Sequence, residues 1–335
     1  MSMDIPSIPS PFPPPFEERA PWWGADLQTI RNLLLPRPQE LPGGERLLLE
    51  MPDGDRLAAR LDLPTQGSAR PLVVLVHGLT GSEASVNVMK TAGHLVREGW
   101  SVVRLNLRGS APSRPTSQGR YHAGKTEDLA AALRQLPDER LRQGVVLIGH
   151  SLGGNLVLKF MGEPGAGGHV APVLGAVAVS TPIDLAAASA RIMASRNLPY
   201  HRYLLAELKH EALAPGAALS TAQTAAIADA RSIYEFDDRF VAPAFGFRGA
   251  DDYYAQSAAR NYLRGIDRPT LLVHAMDDPW IPASGYDAVD WAGLAPIETA
   301  FSPGGGHLGF HGRGSAVAWH DLVTAGWLAR RWGPA

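Results

Sequence analysis

Ten residues, Val145-Val146-Leu147-Ile148-Gly149-His150-Ser151-Leu152-Gly153-Gly154, constrain the fold more than any other part of the chain. Four apolar residues in a row, two of them valine, read as a strand buried on both faces. They run into Gly-x-Ser-x-Gly and then into residues 155–161, an apolar stretch that reads as helix. A strand turning directly into a helix leaves little space at the corner. Glycines on both sides of Ser151 let the serine adopt a strained backbone conformation without neighbouring side chains striking the adjacent strands. The hydroxyl then stands at the edge of a sheet, close to the positive end of the following helix. A bare Gly-x-Ser-x-Gly also occurs as a plain structural turn, and the strand before it and helix after it favour a reactive serine. His150 adjoins Ser151 in sequence and should point away from it.

The rest of the chain agrees with such a corner. A Pro52-Asp53-Gly54 turn joins strand-like residues 46–51 and 56–63 into an antiparallel hairpin. Short apolar runs follow at 72–77, 100–106, 145–148, 174–180, 270–275 and 297–301. Helical patterns lie at 88–98, 126–136, 155–161, 282–291 and 317–331. Continuous apolar strands alternating with helices predict an α/β fold, a mostly parallel central sheet with helices on both faces. Residues 183–265 break the alternation with Ala-rich helical pieces and aromatic clusters, and predict a helical lid insertion over the C-terminal edge of the sheet, where such folds bind ligands. The division this predicts is a Pro-rich N-terminal arm over 1–40 packing on the body, core over 41–182, lid over 183–265 and core again over 266–335. The arm holds six prolines between Pro6 and Pro15, which favour extended backbone, and Trp22, Trp23 and Leu27, apolar enough to dock on the body or border its cleft.

A serine hydroxyl needs a base within hydrogen-bond reach and an acid that orients that base. In α/β-hydrolases the order along the chain is nucleophile, acid, base. Here Asp277 and Asp278 both leave the end of the 270–275 strand, and a glycine run, Gly304-Gly305-Gly306, leads from the last strand into His307. His307 is the expected base, and His311 is the competitor, though it lies further from the strand end and reads equally well as an exposed loop histidine. His94, His169, His201, His210 and His320 have no comparable context. Two backbone N–H groups are expected to face a developing oxyanion: that of Leu152, after the nucleophile, and that of Leu79 in His77-Gly78-Leu79-Thr80-Gly81. Asn106-Leu107-Arg108-Gly109 reads as a structural corner.

Composition excludes several function classes. The chain contains no cysteine, which removes disulfides, thiolate catalysis and common zinc-finger spacings. Its 31 basic and 33 acidic residues are interspersed, so no nucleic-acid partner is expected. No Lys or Arg precedes Arg19 and no apolar run follows, unlike a secretory signal, and no apolar stretch approaches the roughly 20 residues that span a bilayer. The expectation is a cytoplasmic protein without a transmembrane segment. No cofactor is implied, and the acids and histidines lack metal-ligand spacing. Nothing in the sequence bears on oligomeric state.

Taken together, the motifs resemble the YheT-like branch of the α/β-hydrolases, related to eukaryotic α/β-hydrolase-domain esterases and yeast medium-chain ester synthases. The matching residues are Leu27-Gln28-Thr29, the His77 to Gly81 turn, Asn106 to Gly109, Tyr121-His122, Gly149 to Gly153, Phe236-Asp237, Ala242-Pro243, Asp252-Tyr253-Tyr254, His274 to Pro279 and Gly305 to Phe310. Asp26 stands where the branch usually carries histidine. The resemblance implies an α/β-hydrolase fold and, through the spacing of Asp278 to Ile281-Pro282, selects Asp278 as the acid, leaving Asp277 to support the loop. It implies a small-molecule ester or lipid-like substrate, and hydrolysis of carboxylic esters of short to medium acyl chains through an acyl-enzyme on Ser151. The competing readings are an acyltransferase that hands the acyl group to an alcohol and a hydrolase-fold binding protein without turnover.

Overall fold

The computed structural model describes residues 12–34, 41, 44–164, 172–216 and 218–333. Residues 1–11 and 35–40 of the Pro-rich arm lie outside the described residues, as does His169.

Eight strands form one sheet in the order β1-β2-β4-β3-β5-β6-β7-β8. The strands are β1 (Glu45–Glu50), β2 (Arg56–Asp62), β3 (Leu72–Val76), β4 (Val102–Leu105), β5 (Val145–His150), β6 (Val173–Val179), β7 (Thr270–Ala275) and β8 (Ile297–Ser302). The hairpin β1–β2 and the β2–β4 pair are antiparallel, and every other pairing is parallel. Alternate residues of the apolar runs serve opposite faces. Leu72, Val74 and Val76 join one core, whereas Val73 and Leu75 join the other. Both cores are covered by helices, which is why the central strands carry no polar face.

Two buried arginines on the antiparallel side are paired with carboxylates. Arg104 of β4 is fully buried and forms a forked ion pair with Asp62 of β2, Nε to Oδ2 at 2.6 Å and Nη2 to Oδ1 at 3.1 Å, while its Nη1 donates to the Glu83 carbonyl. Arg108 forms the predicted corner: it donates two bonds to Asp128, both at 2.8 Å, and reaches Asp53 and Asp55 in the β1–β2 turn.

The segment between β6 and β7 is helical, with Leu185–Met193, Leu198–Ala212, Thr221–Asp229 and Ala250–Ser257 as its longer elements and no strand among the described residues. Its side chains build two small cores of their own, one around Leu204, Leu208 and Phe236, the other around Tyr253 and Tyr254. The helix predicted over 282–291 does not form as such. A single turn, Ser284–Asp287, is followed by a 3-10 turn at Trp291–Gly293. Trp291 Nε1 donates to the Tyr286 carbonyl, and Tyr286 itself is drawn onto His274 (ring centroids 4.0 Å apart) with its hydroxyl on the Thr181 carbonyl. These side-chain bonds compete with a continued helical ladder.

The described part of the arm lies on the body. Phe16 packs edge-on against Phe310 and Trp319, and Trp319 Nε1 donates to the Pro14 carbonyl. The helix Gly24–Leu34 turns its polar side inward, burying Gln28, Thr29 and Asn32. Trp23 and Leu27 are therefore left outward, 59% and 41% exposed, in contrast to the docking predicted for them.

Asp62→Ala leaves the Arg104 guanidinium without its carboxylate inside the sheet. The expected loss in unfolding free energy is about 3–5 kcal/mol, against about 1 kcal/mol or less for deleting the surface pair of Arg239 with Glu235. Urea unfolding monitored by tryptophan fluorescence checks this, and equal midpoints for the two variants would contradict it.

Candidate active site

Ser151 sits at the junction between β5 and the helix Leu152–Gly162, with φ 51° and ψ −120°. The corner admits no side chain at its flanks. A Cβ on Gly149 would lie 2.3 Å from the Gly153 carbonyl oxygen, and one on Gly153 would lie 2.4 Å from that of His77. The two glycines are thus demanded by close backbone approach, and Ser151 takes the left-handed conformation that results.

Three side chains from three distant segments meet at this corner. His307 Nε2 lies 3.1 Å from Ser151 Oγ, and His307 Nδ1 lies 2.8 Å from Asp278 Oδ2. A ring nitrogen facing a carboxylate carries the proton, so Nε2 is left as acceptor toward the serine hydroxyl. The second oxygen of Asp278 accepts the backbone N–H groups of Trp280 (2.8 Å) and Ile281 (3.0 Å), which fixes the carboxylate in the plane it needs. Asp278 and His307 are buried. Asp277 faces the other way and accepts the Gly306 N–H at 2.9 Å, bracing the glycine run. Trp280 stacks on the His307 ring, centroids 4.3 Å apart.

Leu79 and Leu152 both line the cavity beside Ser151, and no acceptor among the described residues takes either backbone N–H. The turn carrying Leu79 is held from several directions. His77 Nε2 accepts the Leu107 N–H and His77 Nδ1 donates to the Gly78 carbonyl; burial lowers this histidine to about 4, so it stays neutral in that tautomer. Thr80, with φ 55°, donates its N–H to the Tyr121 hydroxyl, which in turn meets Glu211 at 3.1 Å. Burial pushes that carboxyl up to about 7.

The remaining histidines behave differently from one another. His150 points away from the serine, with Nε2 3.3 Å from Thr91 Oγ1 and its ring against His320, and burial lowers it to about 3. His311, the competing base or else an exposed loop residue in the sequence reading, is neither: Ser151 pairs with His307, and His311 is buried. It is 3% exposed, its Nδ1 faces Arg31 at 2.9 Å, and burial together with Arg31 holds it well below its usual value. The helix Gly24–Leu34 covers it. His94, His201 and His320 are buried as well, and His210 is exposed.

That same helix supplies contacts sequence reading did not assign. Thr29 Oγ1 accepts the backbone N–H of His307 at 2.8 Å and donates to the Ala25 carbonyl. Gln28, fully buried, accepts the His311 N–H at 2.7 Å and donates to the carbonyls of Trp22 and His311. The helix approaches so closely that a Cβ on Gly306 would lie 2.4 Å from the Ala25 oxygen, and one on Gly309 would lie 2.5 Å from that of Gln28. Leu27-Gln28-Thr29 thus clasps the loop bearing His307. The motif itself was visible; its partners lie some 280 positions along the chain, and no local pattern names them.

The site opens into a cavity of about 500 Å³ between the sheet edge and the helices of the β6–β7 segment, lined mainly by apolar side chains such as Leu185, Ile192, Leu204 and Ile233. Among the described residues no three His, Asp or Glu side chains converge on a metal-sized site, and no helix is long and apolar enough to cross a membrane. The arrangement is chemically suited to transferring a proton from Ser151 as it attacks a carbonyl carbon.

Comparison with known proteins agrees with the architecture. The family model described as alpha/beta hydrolase fold matches residues 71–313. YheT of Escherichia coli K12, provisionally named an esterase, is 35% identical over 292 residues, covering 85% of this chain and 84% of that one. Phospholipase ABHD3 of Mus musculus is 28% identical over 80% of this chain, which spans 64% of the mouse protein's length. The structure of an esterase from Pyrococcus furiosus superposes with a TM-score of 0.60 at 17% identity, covering 89% of this chain and 97% of that one, a likeness of fold. The chain belongs to the α/β-hydrolase family, in its YheT-like branch.

Proposed function

We propose that this protein is a serine esterase acting on carboxylic esters of short to medium acyl chains. The observation that carries the reading is the hydrogen-bonded line from Ser151 through His307 to Asp278, 3.1 and 2.8 Å, opening on an apolar cavity of about 500 Å³. Ser151 Oγ attacks the ester carbonyl and His307 Nε2 takes its proton. The tetrahedral oxyanion receives the N–H groups of Leu79 and Leu152. The C–O bond to the alcohol breaks as His307 returns the proton to the leaving oxygen, leaving an acyl-enzyme. Water, deprotonated by His307, repeats the attack and releases the acid. Asp278 keeps the imidazole in its reactive tautomer and offsets the charge that develops on it. Residues 183–265 act as the lid over the acyl pocket, set between core segments 41–182 and 266–335. The cavity volume falls within the range of small-molecule sites. YheT's esterase name supports the reaction class, and the phospholipase name of the mouse relative makes a phosphate-bearing ester the competing substrate class.

A fluorophosphonate probe is expected to label the native protein and not Ser151→Ala, with ester turnover falling by at least about 10³-fold; equal labelling of both would remove Ser151 from the reaction. Asp278→Asn is expected to lower kcat by about 10³–10⁴-fold, as loss of the orienting acid does elsewhere, and Asp277→Asn by about tenfold or less, since its partner is a loop amide. Steady-state kinetics on one ester decides between them, and a larger loss at Asp277 would reverse the assignment. Thr29→Val removes the acceptor for the His307 N–H and is expected to reduce kcat by about ten- to a hundredfold with KM little changed, because small displacements of a general base weigh on the chemical step. Thr29→Ser should restore the rate. A Ser variant as impaired as Val would assign Thr29 to packing alone.

A further inference from the structure

Two motifs that the proposed chemistry leaves unused, Phe236-Asp237 and Asp252-Tyr253-Tyr254, converge on one wall of the cavity. Asp237 and Tyr254 both line it. The Tyr254 hydroxyl lies 2.6 Å from Asp237 Oδ2 and 3.1 Å from Ser189 Oγ. Its single proton goes to the carboxylate, and its lone pair is left for the serine O–H. The Tyr254 bond engages only Oδ2 of this half-buried carboxylate. Glu207 is a second carboxylate on the lining, and no Lys or Arg is found among the described lining residues. Burial raises Asp237 to about 7, with no cation acting to lower it.

A carboxylate oxygen left open on the wall of a mainly apolar cavity is worth most to a ligand that brings a donor. Once ionised, the same carboxylate repels a ligand anion, since no Lys or Arg among the described lining residues offsets its charge. We propose that Asp237, held by Tyr254, is a subsite that accepts a hydroxyl or ammonium group of the substrate and disfavours esters bearing a carboxylate or phosphate. This rests on ester cleavage at Ser151. It places the substrates among neutral or cationic esters, away from phospholipids and other phosphate-bearing acyl donors.

The test uses two matched ester series at about pH 8.5, where a carboxyl titrating near 7 is ionised. In the first, the far end of the acyl chain varies: 4-nitrophenyl octanoate, 8-hydroxyoctanoate and mono-suberate. In the second, octanoyl esters of ethanol, choline and glycolate vary the alcohol. In the series that reaches Asp237, kcat/KM for the carboxylate ester is expected to fall about tenfold or more below that of the neutral ester. The hydroxyl or choline ester should match or exceed the neutral one. Asp237→Asn should narrow the gap to about threefold, each ratio being taken within its own variant. Fluorophosphonate labelling reports whether the variant is folded, and Asp237→Ser replaces it if it is not. No gap in either series, or a gap unchanged without the carboxylate, would overturn the subsite while leaving the esterase reading intact. Absence of both labelling and turnover of the plain octanoate would overturn the esterase reading, and this inference with it.

Discussion

The close approach of three backbone segments at the Ser151 corner governs the rest of the molecule. The carbonyls of Val76 and His77 press against Gly153 from one side, and the first turn of the Leu152–Gly162 helix presses against Gly149 from the other. Ser151 is forced to positive φ, a conformation unfavourable for a side-chain-bearing residue that persists only where the surroundings over-determine it. The surroundings here are the parallel strands β3, β5 and β6, buried on both faces and locked in register, with the Ser151 N–H donating to the Val179 carbonyl. A sheet this rigid can hold one serine hydroxyl at its edge and leave the next amide unbonded.

The histidine is held by a different principle. Its loop leaves the sheet with a run of unusual torsions, positive φ at Gly305, Gly306, Leu308 and Phe310, and has no regular ladder of its own. Order comes from outside. The helix Gly24–Leu34 lays Gln28 and Thr29 along it, Asp277 takes the Gly306 amide, and Ser180 Oγ accepts the Leu308 N–H at 3.2 Å. This explains an otherwise odd helix, polar toward the protein and apolar toward solvent. Satisfying the buried amides of an irregular loop outweighs covering Trp23, Leu27, Leu33 and Leu34.

The turn carrying Leu79 links the sheet to the helical segment above it. Tyr121 receives the Thr80 N–H from below and meets Glu211, near the end of the Leu198–Ala212 helix, from above. The same segment provides Asp237 and Tyr254 to the cavity wall. Its packing therefore bears at once on the turn that carries the Leu79 N–H and on the shape of the pocket.

Much of this was legible in the sequence. Apolar runs without alternation imply a doubly covered parallel sheet, and a strand entering Gly-x-Ser-x-Gly before a helix implies an exposed serine, because both are local consequences of backbone geometry. Chain order, with Asp278 and His307 each just after a strand, pointed to the two side chains that meet Ser151 in one hydrogen-bonded line. What the local pattern could not supply were contacts between distant segments. Thr29 meets His307 across 278 positions, and His311 is buried by a helix near the other end of the chain. The helix predicted over 282–291 gave way where Trp291 bonds the Tyr286 carbonyl and Tyr286 stacks on His274 of β7. Asp237, an acid among helices, became part of a pocket wall only when Tyr254 folded against it. Strand and helix signals act over a few residues and can be read one at a time; the environment of a side chain is the sum of what the whole chain brings to it, and only the tertiary structure decides that.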